Sequence, residues 1–139
     1  MKKVIIATAT LLFALLNANA LEEVAKLDVK DTCNVEKVGA AKALEVAKKY
    51  NPEAIKLGVE FKRLGVKNRE YIKALEESVK AKKKETTVEY KAKGKKKTKK
   101  FETNFLAERA CKFAIRALQQ VNEAKKTWRL AVPGDGFKY

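Results

Sequence analysis

Apolar residues recur every three or four positions through much of the chain, a spacing typical of helices that pack by one face. The first run ends at Tyr50 and contains Val35, Val38, Ala41, Leu44 and Ala47. We expect Asp31 or Thr32 to cap this helix, because both side chains can accept from backbone N–H groups. Asn51-Pro52 predicts a break and the start of a second helix, which Gly65 ends.

Two further helices follow from the same spacing. Asn68 is the predicted cap of a third helix, and its apolar positions are Tyr71, Ile72, Leu75 and Val79. Asn104 is the predicted cap of the last and longest helix, near residues 105–130. Apolar residues cover about half the circumference of this helix, so we expect it to lie centrally and contact several neighbours. Pro133-Gly134 predicts a turn and a short tail over residues 132–139.

Between the third and last helices the period changes from helical to alternating, which indicates strands. Val88 and Tyr90 fall on one side of this segment. A type II′ turn at Gly94-Lys95 would set Val88 opposite Phe101 and Glu89 opposite Lys100. A flexible lysine loop is the alternative. The predicted fold is therefore mainly α: a small helical bundle of about four helices with one inserted lysine-rich β-hairpin near residues 85–103.

The first twenty residues have the three parts of a secretory signal. Met1-Lys2-Lys3 is basic, Val4–Leu16 is uncharged and largely apolar, and Ala18-Asn19-Ala20 places small residues before a cleavage point. The apolar run is too short to cross a bilayer as a helix. We expect cleavage after Ala20, with residues 21–139 forming a single domain. The expected location is the periplasm, with full secretion as the alternative.

The chain contains two cysteines, Cys33 and Cys111, both after the predicted cleavage point. An even number of cysteines in a small exported protein predicts a disulfide. A redox-active pair usually has the Cys-x-x-Cys spacing, which this pair lacks. We therefore expect a structural bridge between Cys33 and Cys111; the alternatives are two free buried thiols and a redox or intermolecular role.

Composition removes most catalytic classes. The chain of 139 residues has no histidine, so it has no imidazole base and no histidine metal ligand. Its glycines are scattered and form no phosphate-binding loop. The adjacent pairs Glu22-Glu23 and Glu76-Glu77 do not face each other on a helix. We expect no enzymatic activity, no metal and no cofactor.

Positive charge is concentrated in one segment. The chain has 32 basic and 17 acidic residues, and Lys80–Lys100 alone has eleven lysines against two glutamates. Lysine is a point charge without the fork of arginine, which favours a polyanionic surface over one bound phosphate. The candidate anion-binding residues are Lys91, Lys93, Lys95, Lys96, Lys97, Lys99 and Lys100. The alternative is that these lysines only keep the protein soluble and protect an edge strand.

Two functions remain after these exclusions. The first is a non-enzymatic exported protein that binds an anionic envelope partner: an anionic polymer, a lipid headgroup surface or an acidic protein. The second is a structural or accessory subunit of a cell-envelope assembly, docked by the hairpin or by the tail Phe137-Lys138-Tyr139. After signal cleavage we expect no transmembrane span.

Overall fold

The computed structural model describes residues 19–131, with side chains up to residue 127, and this part of the chain is mainly helical. The predicted tail and all but the last two residues of the predicted signal peptide lie outside it. Its helices are α1 (residues 19–25), α2 (Val29–Thr32), α3 (Val35–Val38), α4 (Ala40–Lys56), α5 (Asn68–Lys80) and α6 (Thr103–Ala131). Its strands are β1 (Lys62–Arg63), β2 (Val66–Lys67), β3 (Glu85–Ala92) and β4 (Lys95–Glu102).

Helix α6 lies at the centre of the fold, as its wide apolar stripe predicts. It packs along α4 and also contacts α5 and the strands of the β3–β4 hairpin. Its buried side includes four alanines, which let neighbouring helices approach closely, and three larger side chains: Ala107, Ala110, Ala114, Ala117, Leu106, Ile115 and Leu118. Within residues 19–131, none of the helices is both long enough and apolar enough to cross a membrane.

Helix α6 also holds the N-terminal part of the described chain. The side-chain amide of Gln119 donates to the carbonyls of Val24 and Leu27, at 2.9 and 3.1 Å. The side-chain amide of Asn122 donates to the carbonyl of Leu21 at 2.6 Å. These three bonds attach α1 and the residues that follow it to α6.

The first predicted helix is divided in the structure. Gly39 adopts a φ of 85° and separates α3 from α4. The caps are therefore not Asp31 or Thr32. Asp28 accepts from the N–H of Lys30 at 2.8 Å to cap α2, and Asn34 accepts from the N–H of Glu36 at 3.0 Å to cap α3.

The predicted break at Asn51-Pro52 is wrong, because α4 continues through Pro52 to Lys56. Proline removes one helical hydrogen bond, but Asn51 before it and Ala54 two residues after it are buried and hold the helix to the core. The second predicted helix does not form. The chain instead makes the short β1–β2 hairpin, with Leu64 and Gly65 in its turn. The count of about four helices is thus not confirmed, although the mainly α class is.

The predicted disulfide is present. Cys33 and Cys111 are bonded, with their Cα atoms 5.6 Å apart, and both are fully buried. The bridge joins the segment between α2 and α3 to the first third of α6. Helices of four residues do not persist alone in water, so this covalent link and the caps keep the short helices in place.

The β3–β4 hairpin forms, but its turn lies one residue earlier than predicted. Lys93 and Gly94 have φ angles of 49° and 75°, and two positive φ values define a type I′ turn, which matches the twist of the strands. Val88 therefore pairs with Lys99 and Glu89 with Thr98, instead of Phe101 and Lys100. A shift of two positions leaves each side chain on its predicted face.

Reduction of the Cys33–Cys111 bridge should destabilise the fold strongly. The bonded residues are 78 positions apart, and a loop of that length corresponds to about 4 kcal/mol of lost chain entropy in the unfolded state. We expect the free energy of unfolding in urea to fall by about that amount in the Cys33→Ala/Cys111→Ala variant. The parent protein without reductant is the control. Equal urea midpoints for the two would contradict a stabilising bridge.

Candidate functional site

The lysine-rich hairpin is supported from one side by α5. β3 begins four residues after α5 and runs back along it, with Thr86 and Val88 buried. At its base, the hydroxyls of Thr86 and Thr103 lie 2.9 Å apart, and the N–H of Thr103 donates to the carbonyl of Lys84 at 2.8 Å. These contacts fix the hairpin where it meets the start of α6.

The aromatic side chains of the hairpin face the helices. Tyr90 and Phe101 are half-buried against the core. The ring of Phe101 meets that of Tyr71 edge-on at a centroid distance of 5.8 Å, a favourable geometry for aromatic pairs. The two rings thus help attach the hairpin to α5.

All seven candidate lysines of the hairpin are exposed. Within the described part of the chain, none of them lies within 4.0 Å of a carboxylate. The ammonium of Lys99 lies 5.5 Å from the centre of the Phe101 ring, a cation–π distance. The charges of the hairpin are therefore available to an external anion.

The register distributes these lysines over both faces of β4. Lys95, Lys97 and Lys99 lie on the face shared with Tyr90, whereas Lys96 and Lys100 lie on the other. Alternate residues of a strand are about 6.8 Å apart, so Lys95, Lys97 and Lys99 form a row of charges at that spacing, whereas Thr98 separates Lys96 from Lys100 on the other face. The hairpin is therefore a ridge with positive charge on both sides, and β4 supplies most of it.

One side of the ridge contains carboxylates as well. A groove of about 620 Å³ between α5 and the hairpin is lined by three glutamates and three lysines: Glu70, Glu77, Glu89, Lys73, Lys91 and Lys96. The charges in this groove balance, which reduces the field of Lys91 and Lys96. The five lysines outside it, Lys93, Lys95, Lys97, Lys99 and Lys100, form the strongest positive surface of the hairpin.

The lysines at the base of the hairpin form a separate group. Lys82, Lys83 and Lys84 line a concavity of about 800 Å³ beside Thr103. Glu85 and Glu102 lie opposite each other in the register and line the same concavity. The lysine-rich segment of the sequence is thus divided in space into a base near two carboxylates and an exposed ridge.

The short β1–β2 hairpin adds cations that the sequence analysis did not assign to a site. Lys62, Arg63 and Lys67 are exposed around its turn, and Lys62 pairs directly with Lys67 in the register. The dipeptide Leu64-Gly65 in the sequence indicates the β1–β2 hairpin, because a glycine in a two-residue loop favours a hairpin turn. The helical spacing of the preceding apolar residues led instead to a predicted helix.

A buried polar network fixes the β1–β2 hairpin to the helices. The amide of Asn68 is fully buried and donates to the side-chain oxygen of Asn51 at 2.9 Å and to the carbonyl of Ala110 at 3.0 Å. The amide of Asn51 donates to Glu60 at 3.1 Å. Arg69 donates to the same carboxylate through two nitrogens, at 2.9 and 2.6 Å. These bonds join α4, α5 and α6 at one point.

The start of α5 is capped differently from the prediction. Lys67, not Asn68, is the cap residue, and its N–H donates to the carboxylate of Glu70 at 2.7 Å. Asn68 is the first helical residue, and its side chain turns inward to the buried network. Asn68, the residue that the sequence suggested as a cap, therefore forms hydrogen bonds inside the core instead.

Comparisons with known proteins add no relative: no family model matches the chain, and no curated protein or solved structure is significantly similar to it. Across residues 19–131, no cluster of three or more cysteine, aspartate or glutamate side chains is placed to hold a metal ion. The ridge and the turn of the β1–β2 hairpin are two surfaces of the described chain with several exposed cations that have no carboxylate within 4.0 Å.

Glu60 should make the stability of this fold depend on pH. Burial raises the pKa of Glu60, but the hydrogen bonds from Arg69 and Asn51 outweigh it and hold this pKa below the ordinary value of 4.5. A lowered pKa stabilises the folded state above the unfolded pKa, and this contribution is lost as pH falls through the folded pKa. We expect Glu60→Gln to lower the unfolding free energy most above pH 4.5, with the difference from the parent shrinking in acid.

The matched control is Asp31→Asn. Asp31 pairs with Lys37 at 2.6 Å, but both side chains are exposed, and exposed pairs contribute little. Urea unfolding of the three proteins across the acid range measures the effect. A constant difference between Glu60→Gln and the parent at every pH would refute the role of the Glu60 charge.

Proposed function

We propose that this protein is a non-enzymatic, exported binding protein that attaches to an anionic partner of the cell envelope through the lysine-rich ridge. The observation that supports this most is the set of five exposed lysines outside the charge-balanced groove, none with a carboxylate partner in the described chain. Like charges this close repel one another, and an external anion relieves the repulsion.

The compartment supports the same proposal. The Cys33–Cys111 disulfide indicates a non-cytoplasmic location. We propose that residues 1–20 are removed as a signal peptide and that the protein resides in the periplasm. Anionic polymers and lipid headgroups are abundant in a cell envelope, so a protein with a protruding cationic ridge meets suitable partners there.

The geometry of the ridge favours a partner with many charges. Its lysines lie on both faces of β4 and converge on no single point. A small phosphate ligand is usually held by several donors directed at one position, whereas a polyanion needs only a row of cations. The alternative function, docking to an envelope protein assembly, stays a prediction.

Removing charge from the ridge should weaken binding to anionic vesicles. Each lysine near an anionic membrane contributes about 1 kcal/mol, so Lys95→Gln/Lys97→Gln/Lys99→Gln should weaken binding about 100-fold. The matched control, Lys82→Gln/Lys83→Gln/Lys84→Gln, removes the same charge at the base beside Glu85 and Glu102 and should weaken binding less. Cosedimentation with phosphatidylglycerol vesicles and retention on single-stranded DNA, each at rising salt, measure the effect.

Two results would overturn the proposal. The first is equal weakening by the ridge and base variants, which would mean that only total charge matters. The second is retention of the parent that ignores both salt and the ridge lysines. All six positions are exposed, so circular dichroism should show an unchanged fold in both variants.

A further inference from the structure

Exposed apolar side chains are concentrated at one end of the molecule. Among the described residues, the exposed large hydrophobic side chains are Ile55, Leu57, Leu64 and Phe105. The first three lie within a ten-residue segment that runs from the end of α4 through β1 into the turn of the β1–β2 hairpin. Leu64 is the most exposed of them, at 69%. Apolar residues gathered in one region near cations need an explanation that scattered ones do not.

The tips of both hairpins lie at this same end. α4 and α5 run in opposite directions, because Asn51 bonds Asn68 at the start of α5, whereas Lys48, earlier in α4, pairs with Glu76, later in α5. The hydroxyl of Tyr71 in the first turn of α5 donates to the carbonyl of Arg63 at 3.4 Å. β3 returns along α5, so that Lys91 and Lys96 line one groove with Glu70 of the first turn. The turn at Leu64 and the turn at Lys93 therefore both lie toward the start of α5.

Leu64 occupies its position at a conformational cost. Its φ of 53° lies in the left-handed region, which is unfavourable for a non-glycine residue because its Cβ crowds the following carbonyl oxygen. Asparagine tolerates this conformation better. A leucine that is both strained and exposed, at the tip of a hairpin, gains nothing from the fold that the structure shows.

Cations without carboxylate partners surround this leucine. Lys62, Arg63 and Lys67 are exposed, and no described carboxylate lies within 4.0 Å of their charged groups. The nearby carboxylates have other partners: Glu60 binds Arg69, and Glu70 accepts from the N–H of Lys67. An exposed apolar tip with unpaired cations around it is complementary to an anionic lipid surface, which offers phosphates above an apolar layer.

We propose that this end of the protein docks on an anionic phospholipid bilayer, with Leu64 inserted at the boundary between headgroups and acyl chains and the cations of both hairpins on the lipid phosphates. This inference rests on the proposed function and identifies its partner as a membrane instead of a soluble polyanion. A soluble polymer would use the lysines but would give Leu64 no apolar environment.

The aromatic rings beside the ridge support the same choice. A single-stranded nucleic acid binds by stacking its bases on open aromatic faces. The Phe101 ring is instead half-buried, has the edge contact with Tyr71 and has the ammonium of Lys99 over it. The guanidinium of Arg109 lies 4.4 Å from the centre of the Phe105 ring. The ring faces are thus partly occupied, whereas Leu64 is open.

The test compares Leu64→Asn with Phe105→Ser. Asparagine fits the left-handed turn, so Leu64→Asn should fold at least as stably as the parent in urea. Phe105 is 49% exposed and lies near the start of α6, so Phe105→Ser removes an exposed apolar side chain that lies outside the 55–64 segment. The proteins are exported from the full coding sequence, and their intact mass verifies the start at Leu21, because a retained signal peptide would itself bind lipid.

Leu64→Asn should bind vesicles of 30% phosphatidylglycerol and 70% phosphatidylcholine about tenfold more weakly than the parent, because a buried leucine contributes roughly 1.5 kcal/mol or more. Its retention on single-stranded DNA should not change. Phe105→Ser should bind both as the parent does.

The outcomes separate the two proposals. If Leu64→Asn binds vesicles as the parent does while the ridge variant still loses binding, membrane insertion is refuted and the ridge remains a polyanion site. If the parent binds DNA but not vesicles, the partner is a soluble polyanion and the inference is refuted. If the ridge variant binds both like the parent, the proposed function fails as well.

Discussion

The close packing of α6 against α4, together with the Cys33–Cys111 bridge that ties the segment before α3 to α6, is the constraint on which the rest of this structure depends. Ala43 and Ala47 of α4 and Ala107, Ala110 and Ala114 of α6 are all buried, and small side chains let two helices come near enough for extensive contact. α5 rests on this pair, and the lysine-rich hairpin rests on α5. The lysines of the ridge repel one another, and the closely packed helices beneath the hairpin keep them in their exposed positions.

The hydrogen bonds of the buried Asn68 amide fix the positions of the three long helices relative to one another at one end of the molecule. A buried polar group without hydrogen bonds is costly, so its partners must be placed accurately. Because Asn68 bonds both Asn51 and the carbonyl of Ala110, the start of α5 is fixed relative to both long helices. Glu60 and Arg69 extend this network to the segment before β1. The turn of the β1–β2 hairpin and the tip of the ridge therefore keep their places relative to each other.

The features that the sequence predicted correctly are those with a strong local or covalent signal. The wide apolar stripe of α6, the alternation over residues 85–102 and the pairing of two cysteines all have a direct structural counterpart. The errors occur where tertiary contacts overrule a local preference. Pro52 suggests a break, but the burial of Asn51 and Ala54 carries α4 past it.

The site shows the same division between local and tertiary information. The sequence identifies the lysines of the ridge, because their excess lies in one segment. It does not show that Lys91 and Lys96 share a groove with Glu70 and Glu77, since those glutamates are distant in sequence. The sequence did not predict the exposure of Leu64 for a related reason. An apolar residue at helical spacing is expected to be buried, and only the β1–β2 pairing places Leu64 at the tip of a hairpin.

The energetics of the ridge link its order to its partner. An isolated two-stranded hairpin is marginal in water, and this one is buried on one face of β3 only, while β4 is exposed along most of its length. The direct pair Lys91↔Lys96 adds repulsion near the tip. If an anion binds the folded hairpin more tightly than the unfolded hairpin, it stabilises the folded form by the difference between the two binding free energies. The outer part of the hairpin should thus be more firmly ordered on an anionic surface than in free solution. Most lysines of the ridge lie on β4, so anion binding should order this strand most.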